Sequence, residues 1–359
     1  MLSHYFIKLQ KQLATNFTNH FILDVLMIDK KFKLFSNCFM VKGINRAIIL
    51  DNQRKNFYIL PNQIIDFINE YSGKRIYDLF QDFKNDKVIL KKYIRYFFNN
   101  ELIFTDNDTN LYPPISNNFD RPYKIETITL DLNLPILTLK NFFEVKVDDL
   151  GVSCLKLITD DFNFKKIVDT LHFVDKSKIK TIVIFIKYNI GIETELVKLR
   201  KKNSRITEII FYDVDKINDS AVKKFIYEKK SLSEVLSMKI YNHHDFVLSM
   251  ENFNESLIFN TAYNRSIFID SDGDIKRHIE DQSIFGNIDI TNLNDVADNK
   301  DVREFWAINK DKIFVCKDCE FRYICPDGSI PYKLKETDPF YSTKINCNYD
   351  PYKNLWNNA

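Results

Sequence analysis

Glycine is scarce in this chain, with 7 in 359 residues, and neither G-x-x-x-x-G-K-S/T nor G-x-G-x-x-G occurs. Those turns need glycine so that backbone amides can close on a phosphate, so a nucleotide-binding phosphate loop is excluded. Long apolar runs are missing too. None reaches the roughly 18 to 20 residues that a bilayer-crossing helix requires. The apolar stretch at 20–27 is short, contains Asp24 and lacks a small-residue cleavage site, so it does not read as a signal peptide. Nor is there an excess of one charge. Lys and Arg number 51 against 49 Asp and Glu, a net +2, which gives no whole-chain field for nucleic acid. A hydrophobic share of 45% and a charged share of 28% describe an ordinary globular chain, long enough for two or three domains.

Hydrophobic periodicity divides the chain. Residues 1–30 read as a weakly patterned extension, and Met27 is an alternative start. Over 31–108 the pattern is strands followed by helices. The segment 32–41 reads as a first strand, 46–51 as its return after a turn at Gly43, and 56–60 as a third. Pro61 opens a helix with Ile64, Ile65, Ile68 and Tyr71 on one face. Ile76, Leu79, Phe80 and Phe83 mark a second helix, and Leu90, Tyr93, Ile94 and Phe97 a third. After a Pro/Asn-rich linker, 122–245 alternates strands (125–132, 152–158, 181–187, 206–212) with helices (139–150, 164–174, 193–201). That alternation implies parallel βαβ units, too few for a closed eight-fold barrel, so an open or partial one is expected. The last section, 246–359, holds a hairpin at 265–276 with an Asp272-Gly273 turn, a second turn at 285–288 and a polar helix to Trp306. His243 and His244 are adjacent, so in a strand their side chains diverge, and no nucleophile motif accompanies them.

What remains is cysteine. Of six, three form Cys316-x2-Cys319-x5-Cys325, and Cys347 follows. The short spacing turns two thiolates toward one centre and the outlying pair closes a tetrahedron. Zinc and iron–sulfur both want that arrangement, and spacing alone leaves both open. Clustered cysteines without an export signal favour a reducing, cytoplasmic setting over disulfides. His278 is a possible further ligand. Cys154 stands alone on a strand and reads as a small buried residue.

The residues Cys316-Lys-Asp-Cys-Glu-Phe-Arg-Tyr-Ile-Cys325-Pro-Asp, with Asp272-Gly-Asp-Ile-Lys276, Phe285-Gly-Asn-Ile288 and Cys347-Asn-Tyr-Asp-Pro-Tyr352, resemble the SPASM domain of peptide maturases. The segments Phe35-Ser-Asn-Cys-Phe-Met-Val-Lys-Gly43 and Arg46-Ala-Ile-Ile-Leu-Asp-Asn-Gln-Arg54 resemble the opening of the grasp-with-spasm maturases. The resemblance implies an α/β chain of three parts: a winged-helix-like precursor-recognition domain, a partial β/α barrel of radical SAM type and a Cys-rich SPASM domain. It implies a 4Fe-4S cluster on Cys316, Cys319, Cys325 and Cys347, with zinc as the alternative. It also implies a precursor peptide and an ATP-grasp ligase as partners, with no nucleic acid and no membrane.

Departures from the family pattern narrow this. A radical SAM core carries C-x3-C-x2-C after its first barrel strand, whereas 129–137 here contains no cysteine, so no S-adenosylmethionine is expected. Ser329 stands where a further thiol belongs, and Arg277 and His278 stand where another is common, so one cluster is expected rather than two. By analogy with recognition domains of peptide-modifying enzymes, a leader peptide would add as a strand beside Asn56, Phe57, Tyr58, Ile59 and Leu60. Lys91, Lys92 and Arg95 would meet its acidic residues. The expected role is accessory maturation of a ribosomally made peptide, without independent catalysis. The alternatives are a redox enzyme acting through the cluster and a zinc-stabilised interaction module.

Overall fold

A computed structural model describes residues 28–147, 150–189, 191–215, 225–237, 242–343 and 347–357. Met27 and the residues before it lie outside that set. Segment 32–41, expected as one strand, is two. β1 (Lys31–Leu34) and β2 (Cys38–Lys42) are separated by a turn in which the Cys38 amide donates to the Phe35 carbonyl at 2.9 Å. Ser36 and Asn37 supply the turn chemistry, and the Asn37 side chain donates to buried Asp51 at 2.8 Å. The break sends the two halves to different partners. β2 pairs with β3 (Ala47–Asp51), which pairs with β4 (Asn56–Leu60), all antiparallel. β1 pairs instead with β5 (Ile103–Asp106).

The three helices form as their periodicity dictates. They are α1 (Asn62–Tyr71), α2 (Ile76–Asp82) and α3 (Lys87–Asn99). Ile64, Ile65, Ile68 and Tyr71 of α1, and Leu90, Tyr93, Ile94 and Phe97 of α3, are buried together with Ile49, Ala47 and Leu60 of the sheet. The opposite face of the same sheet is buried as well. Val41, Ile48 and Leu50 pack there against Phe246, Phe253, Phe321, Ile324 and Tyr349 from the C-terminal section. Period-two alternation sends neighbouring residues of β3 to opposite faces, and every residue of β3 is buried.

The middle of the chain builds a seven-stranded open sheet. Its strands are β6 (Thr127–Asp131), β7 (Cys154–Thr159), β8 (Thr181–Lys187), β9 (Ile206–Tyr212), β10 (Ile226–Tyr227), β11 (Ser266–Ile269) and β12 (Ile275–Lys276), in the order β10-β9-β8-β7-β6-β11-β12. All neighbours are parallel except the β11–β12 hairpin. The expected four strands are thus extended on both sides, and β11, from the section beginning at 246, pairs with β6. Helices α4 (Ile136–Asn141), α5 (Phe164–Val174) and α6 (Glu193–Lys202) connect them. After α4 the chain widens into a π-turn over Phe142–Lys146 instead of continuing as one helix. Leu139, Ile167, Leu171 and Leu196 from this layer pack on Leu155, Leu157, Ile182 and Ile184. The other face carries Ile158, Val183, Phe185, Ile210 and Phe268 under α7 (Leu232–Leu236). Among the described residues no helix is long and apolar enough to cross a membrane.

Two local expectations are corrected. His243 and His244 lie in a 3-10 turn, not a strand, with ring centroids 4.0 Å apart, because a one-turn helix brings consecutive side chains closer than a pleat does. After α8 (Met250–Ser256), the polar helix to Trp306 is two helices, α9 (Leu293–Asp298) and α10 (Lys300–Trp306). The break falls at Asn299, whose side chain caps α10 by accepting from the Asp301 and Val302 amides.

If both faces of the small sheet are core, Ile48→Ala and Ile49→Ala should each cost about 2–5 kcal/mol in urea unfolding. A near-neutral Ile48→Ala would show that the C-terminal section does not cover that face.

Candidate metal centre and peptide edge

The thiol loop begins at a strained residue. Val315 has φ 69° and ψ −51°, close to the rare γ-turn conformation that a β-branched side chain resists. It is held from both sides: the Phe314 amide donates to the Tyr341 carbonyl at 2.7 Å, and the Asp318 amide donates to the Val315 carbonyl at 3.1 Å. Cys316–Asp318 then forms one 3-10 turn, closed by the Cys319 amide on the Cys316 carbonyl at 3.0 Å. Backbone N–H groups point at two of the four sulfurs: Phe321 donates to Cys319 Sγ and Tyr349 to Cys347 Sγ, both at 3.4 Å.

All six cysteines are free thiols. The charge of Cys347 is felt at Cys316, that of Cys316 at Cys325, and those of both Cys316 and Cys325 at Cys319. The four therefore share one neighbourhood. Among the described residues, no three His, Cys, Asp or Glu side chains form a group that could hold a metal ion. Burial pushes the Cys316 thiol up to about 11, against the pull of Lys310 and with a further push from Asp327 and Cys347. Burial raises Cys319 well above the ordinary thiol value, with Glu320 adding to the effect, and it raises Cys325 too.

Lys310 is the cation of this neighbourhood. It is 4% exposed, and its ammonium donates to the Asp327 carbonyl oxygen and lies 3.7 Å from the Asp327 carboxylate. Burial pulls its pKa down, but the charges of Cys325, Asp327, Cys316 and Cys347 outweigh that and raise it. Nothing in the sequence marks Lys310 among the chain's many lysines; only its burial beside the thiols does.

His278 takes a different position. Its ring lies 6.0 Å from that of Tyr263 and 5.2 Å from that of Phe305, on a cleft of about 420 Å³ shared with Arg277, Glu280 and Tyr332. Arg277 makes a two-point ion pair with Asp281. Ser329 is 2% exposed, and its hydroxyl has no hydrogen-bond partner among the described residues. Cys154 is half-buried at the start of β7, and burial raises its thiol pKa.

β4 is an outer strand of its sheet. Asn56 is exposed and accepts from the Phe57 amide at 2.9 Å, and Ile59 is 39% exposed. Phe57 turns to the thiol loop, 5.5 Å from Phe321 and 5.9 Å from Phe246. Tyr58 turns the other way and meets Tyr96 of α3 edge-on at 6.3 Å, while Leu60 is buried. The three basic residues of α3 do not share one face. Lys92 is exposed and falls one turn from Tyr96, on the β4 side, whereas the Lys91 ammonium sits 5.8 Å from the Phe80 ring of α2. Arg95 is half-buried one turn from Lys91.

No known protein family matches the chain, and no curated protein does. Among solved structures it is similar to SuiB of Streptococcus suis. Crystal structures of SuiB bound to S-adenosylmethionine, of SuiB bound to precursor peptide SuiA, and a third of SuiB give TM-scores of 0.32, 0.31 and 0.33. Identity is 13%, and coverage is 87–88% of this chain and 99% of SuiB. Likeness at that level assigns no site.

The raised thiols have a consequence for stability. The unfolded chain gives up thiol protons near the ordinary value of about 8.5, while the folded, metal-free chain keeps them. Metal-free protein should therefore lose stability as pH rises past about 8.5, continuing toward about 11, where Cys316 ionises. Urea midpoints across that range check this; a flat profile contradicts it. Metal uptake, which requires thiolates, should strengthen over the same rise in pH.

Proposed function

We propose that this protein is an accessory maturation factor for a ribosomally synthesised peptide. It captures the precursor's leader along β4 and presents the core peptide to a partner ATP-grasp ligase. One 4Fe-4S cluster, held by Cys316, Cys319, Cys325 and Cys347, supports the arrangement. The observation that carries this reading is the position of β4, an outer strand with α3 on one side and the thiol loop on the other.

An outer strand offers unpaired amides and carbonyls to an extended peptide, which supply affinity without regard to sequence. Selectivity comes from the flanking side chains. Ile59 supplies an apolar contact, and Lys92 a charge for an acidic leader residue. The thiols do not stand as a closed ligand set in this conformation, and two features of the loop support a thiolate-bound metal once they close. Two sulfurs receive backbone N–H groups, which favour the thiolate over the thiol, and Lys310 offsets part of the negative charge. When bound, a cluster would tie the Cys316–Cys325 loop, through three thiolates, to the Cys347 segment, through one. The chain's own residues position a peptide, and no reaction step is assigned to them.

Fluorescence anisotropy with labelled synthetic leaders of any short peptides encoded beside this chain's gene tests the reading. Binding at tens of micromolar or tighter is expected, with Ile59→Asp weakening it at least tenfold while the fold is retained. No binding by the native chain rejects it. Iron, sulfide and zinc quantification after anaerobic purification decides the metal. Zinc without iron or sulfide would leave the zinc-stabilised interaction module as the better account.

A further inference from the structure

The turn between β2 and β3 reaches into the thiol loop. The Ile44 amide donates to the Asp318 carbonyl at 2.8 Å, and Arg322 donates to the Lys42 carbonyl at 2.7 Å. A Cβ on Gly43 would lie 2.7 Å from the Glu320 backbone nitrogen and 3.0 Å from the Asp318 carbonyl oxygen. No side chain fits there, so two backbones touch where Cys316-x2-Cys319 turns. Next to that contact lies a buried ionic group. Glu320 is 1% exposed; it accepts from Arg46 Nε at 2.6 Å and from the Tyr349 hydroxyl at 2.6 Å, and Arg46 also donates to the Tyr349 oxygen at 2.9 Å. Glu320 directly follows Cys319, and Tyr349 is the residue whose amide points at Cys347 Sγ. Arg46 thus joins the two segments that carry the four thiols, and it does so from the strand turn that leads into β3.

We propose that Arg46 is a positioning residue for the thiol site, and that filling that site tightens the β2-β3-β4 sheet. The site and the peptide edge are then coupled in both directions. Any group that binds the thiols only in their folded arrangement stabilises whatever holds that arrangement, and the reverse must also be true. The path from thiol to peptide edge is short. Cys319 and Cys325 flank Phe321, Phe321 meets Phe57 edge-on, and Phe57 belongs to β4. A second path runs from Glu320 through Arg46 into β3, the strand that pairs with β4. The inference rests on the reading of β4 as the peptide edge only for its functional meaning. The coupling itself can be measured without peptide.

Amide hydrogen exchange on the full chain, metal-free and loaded either with zinc or with iron and sulfide, is the test. Loading should slow exchange at least tenfold across Cys38–Leu60 and leave the amides of β7–β9 unchanged, which a general gain in stability would not do. Arg46→Ala should weaken metal uptake at least tenfold and abolish the local slowing, and Arg46→Lys should restore part of both. If Arg46→Ala does not fold, the comparison of loaded and metal-free native chain still decides. Metal uptake with unchanged exchange in β3 and β4 overturns the coupling but leaves leader binding untouched. Local slowing in a chain that binds no leader upholds the coupling and rejects the functional reading. A chain that takes up neither metal overturns both the metal site and the coupling.

Discussion

Two peptide backbones meet at Gly43 with no side chain between them, and much of the molecule is arranged around that contact. The β2–β3 turn and the Cys316–Cys325 loop are far apart in sequence and cannot slide past each other once they are hydrogen-bonded at Lys42 and Ile44. Their contact fixes the distance between the N-terminal sheet and the C-terminal section. Ile48, Leu50, Phe321 and Phe246 then fill the space that distance leaves. The apolar packing supplies most of the adhesion, but it is non-directional. The backbone contact and the ion pair beside it supply the register.

That ion pair carries an obvious cost. Burying Glu320 means removing a carboxylate from water, and such pairs seldom gain net stability over apolar replacements. Here the pair is three-membered, with the Tyr349 hydroxyl taking part of the charge. Removing a single partner would strand the others, at a penalty of about 3–5 kcal/mol. Lys310 obeys the same rule on the other side of the loop, where its fixed positive charge is answered by Asp327 and by sulfur. Two buried ionic groups thus bear on one short segment, Cys316–Cys325, which follows a strained Val315. Each of these is unfavourable alone. Their concentration at one loop marks it as a place where the chain gives up stability for a defined shape.

Much of the architecture was legible from periodicity. The apolar faces of α1 and α3 came out residue by residue, and the strands at 181–187 and 206–212 matched at both ends, because long regular patterns leave one solution. The strand over 32–41 did not, since Phe32, Leu34 and Phe35 lead on to Cys38–Val41 and Ser36-Asn37 is only a short polar interruption between them. The role of β11 was hidden for another reason. A four-residue strand carries no mark of whether its neighbour is the next hairpin strand or β6, more than a hundred residues earlier. At the site, the spacing of the thiols was visible, but Lys310, Arg46 and Glu320 were not, because burial of a charge is a property of tertiary structure. The sequence placed Lys91, Lys92 and Arg95 together, whereas the helix turns Lys91 toward α2 and Lys92 toward β4.

A sheet with two buried faces cannot be cut free cleanly. Severing the chain in the Pro/Asn-rich stretch would leave one fragment showing Val41, Ile48 and Leu50 to water, and the other showing Phe246, Phe321 and Tyr349. Both pieces would carry sticky wounds of matching shape. The segment resembling a peptide-recognition module is therefore, in this chain, half of a shared interior, and a dissection that treated it as detachable would be studying a different object.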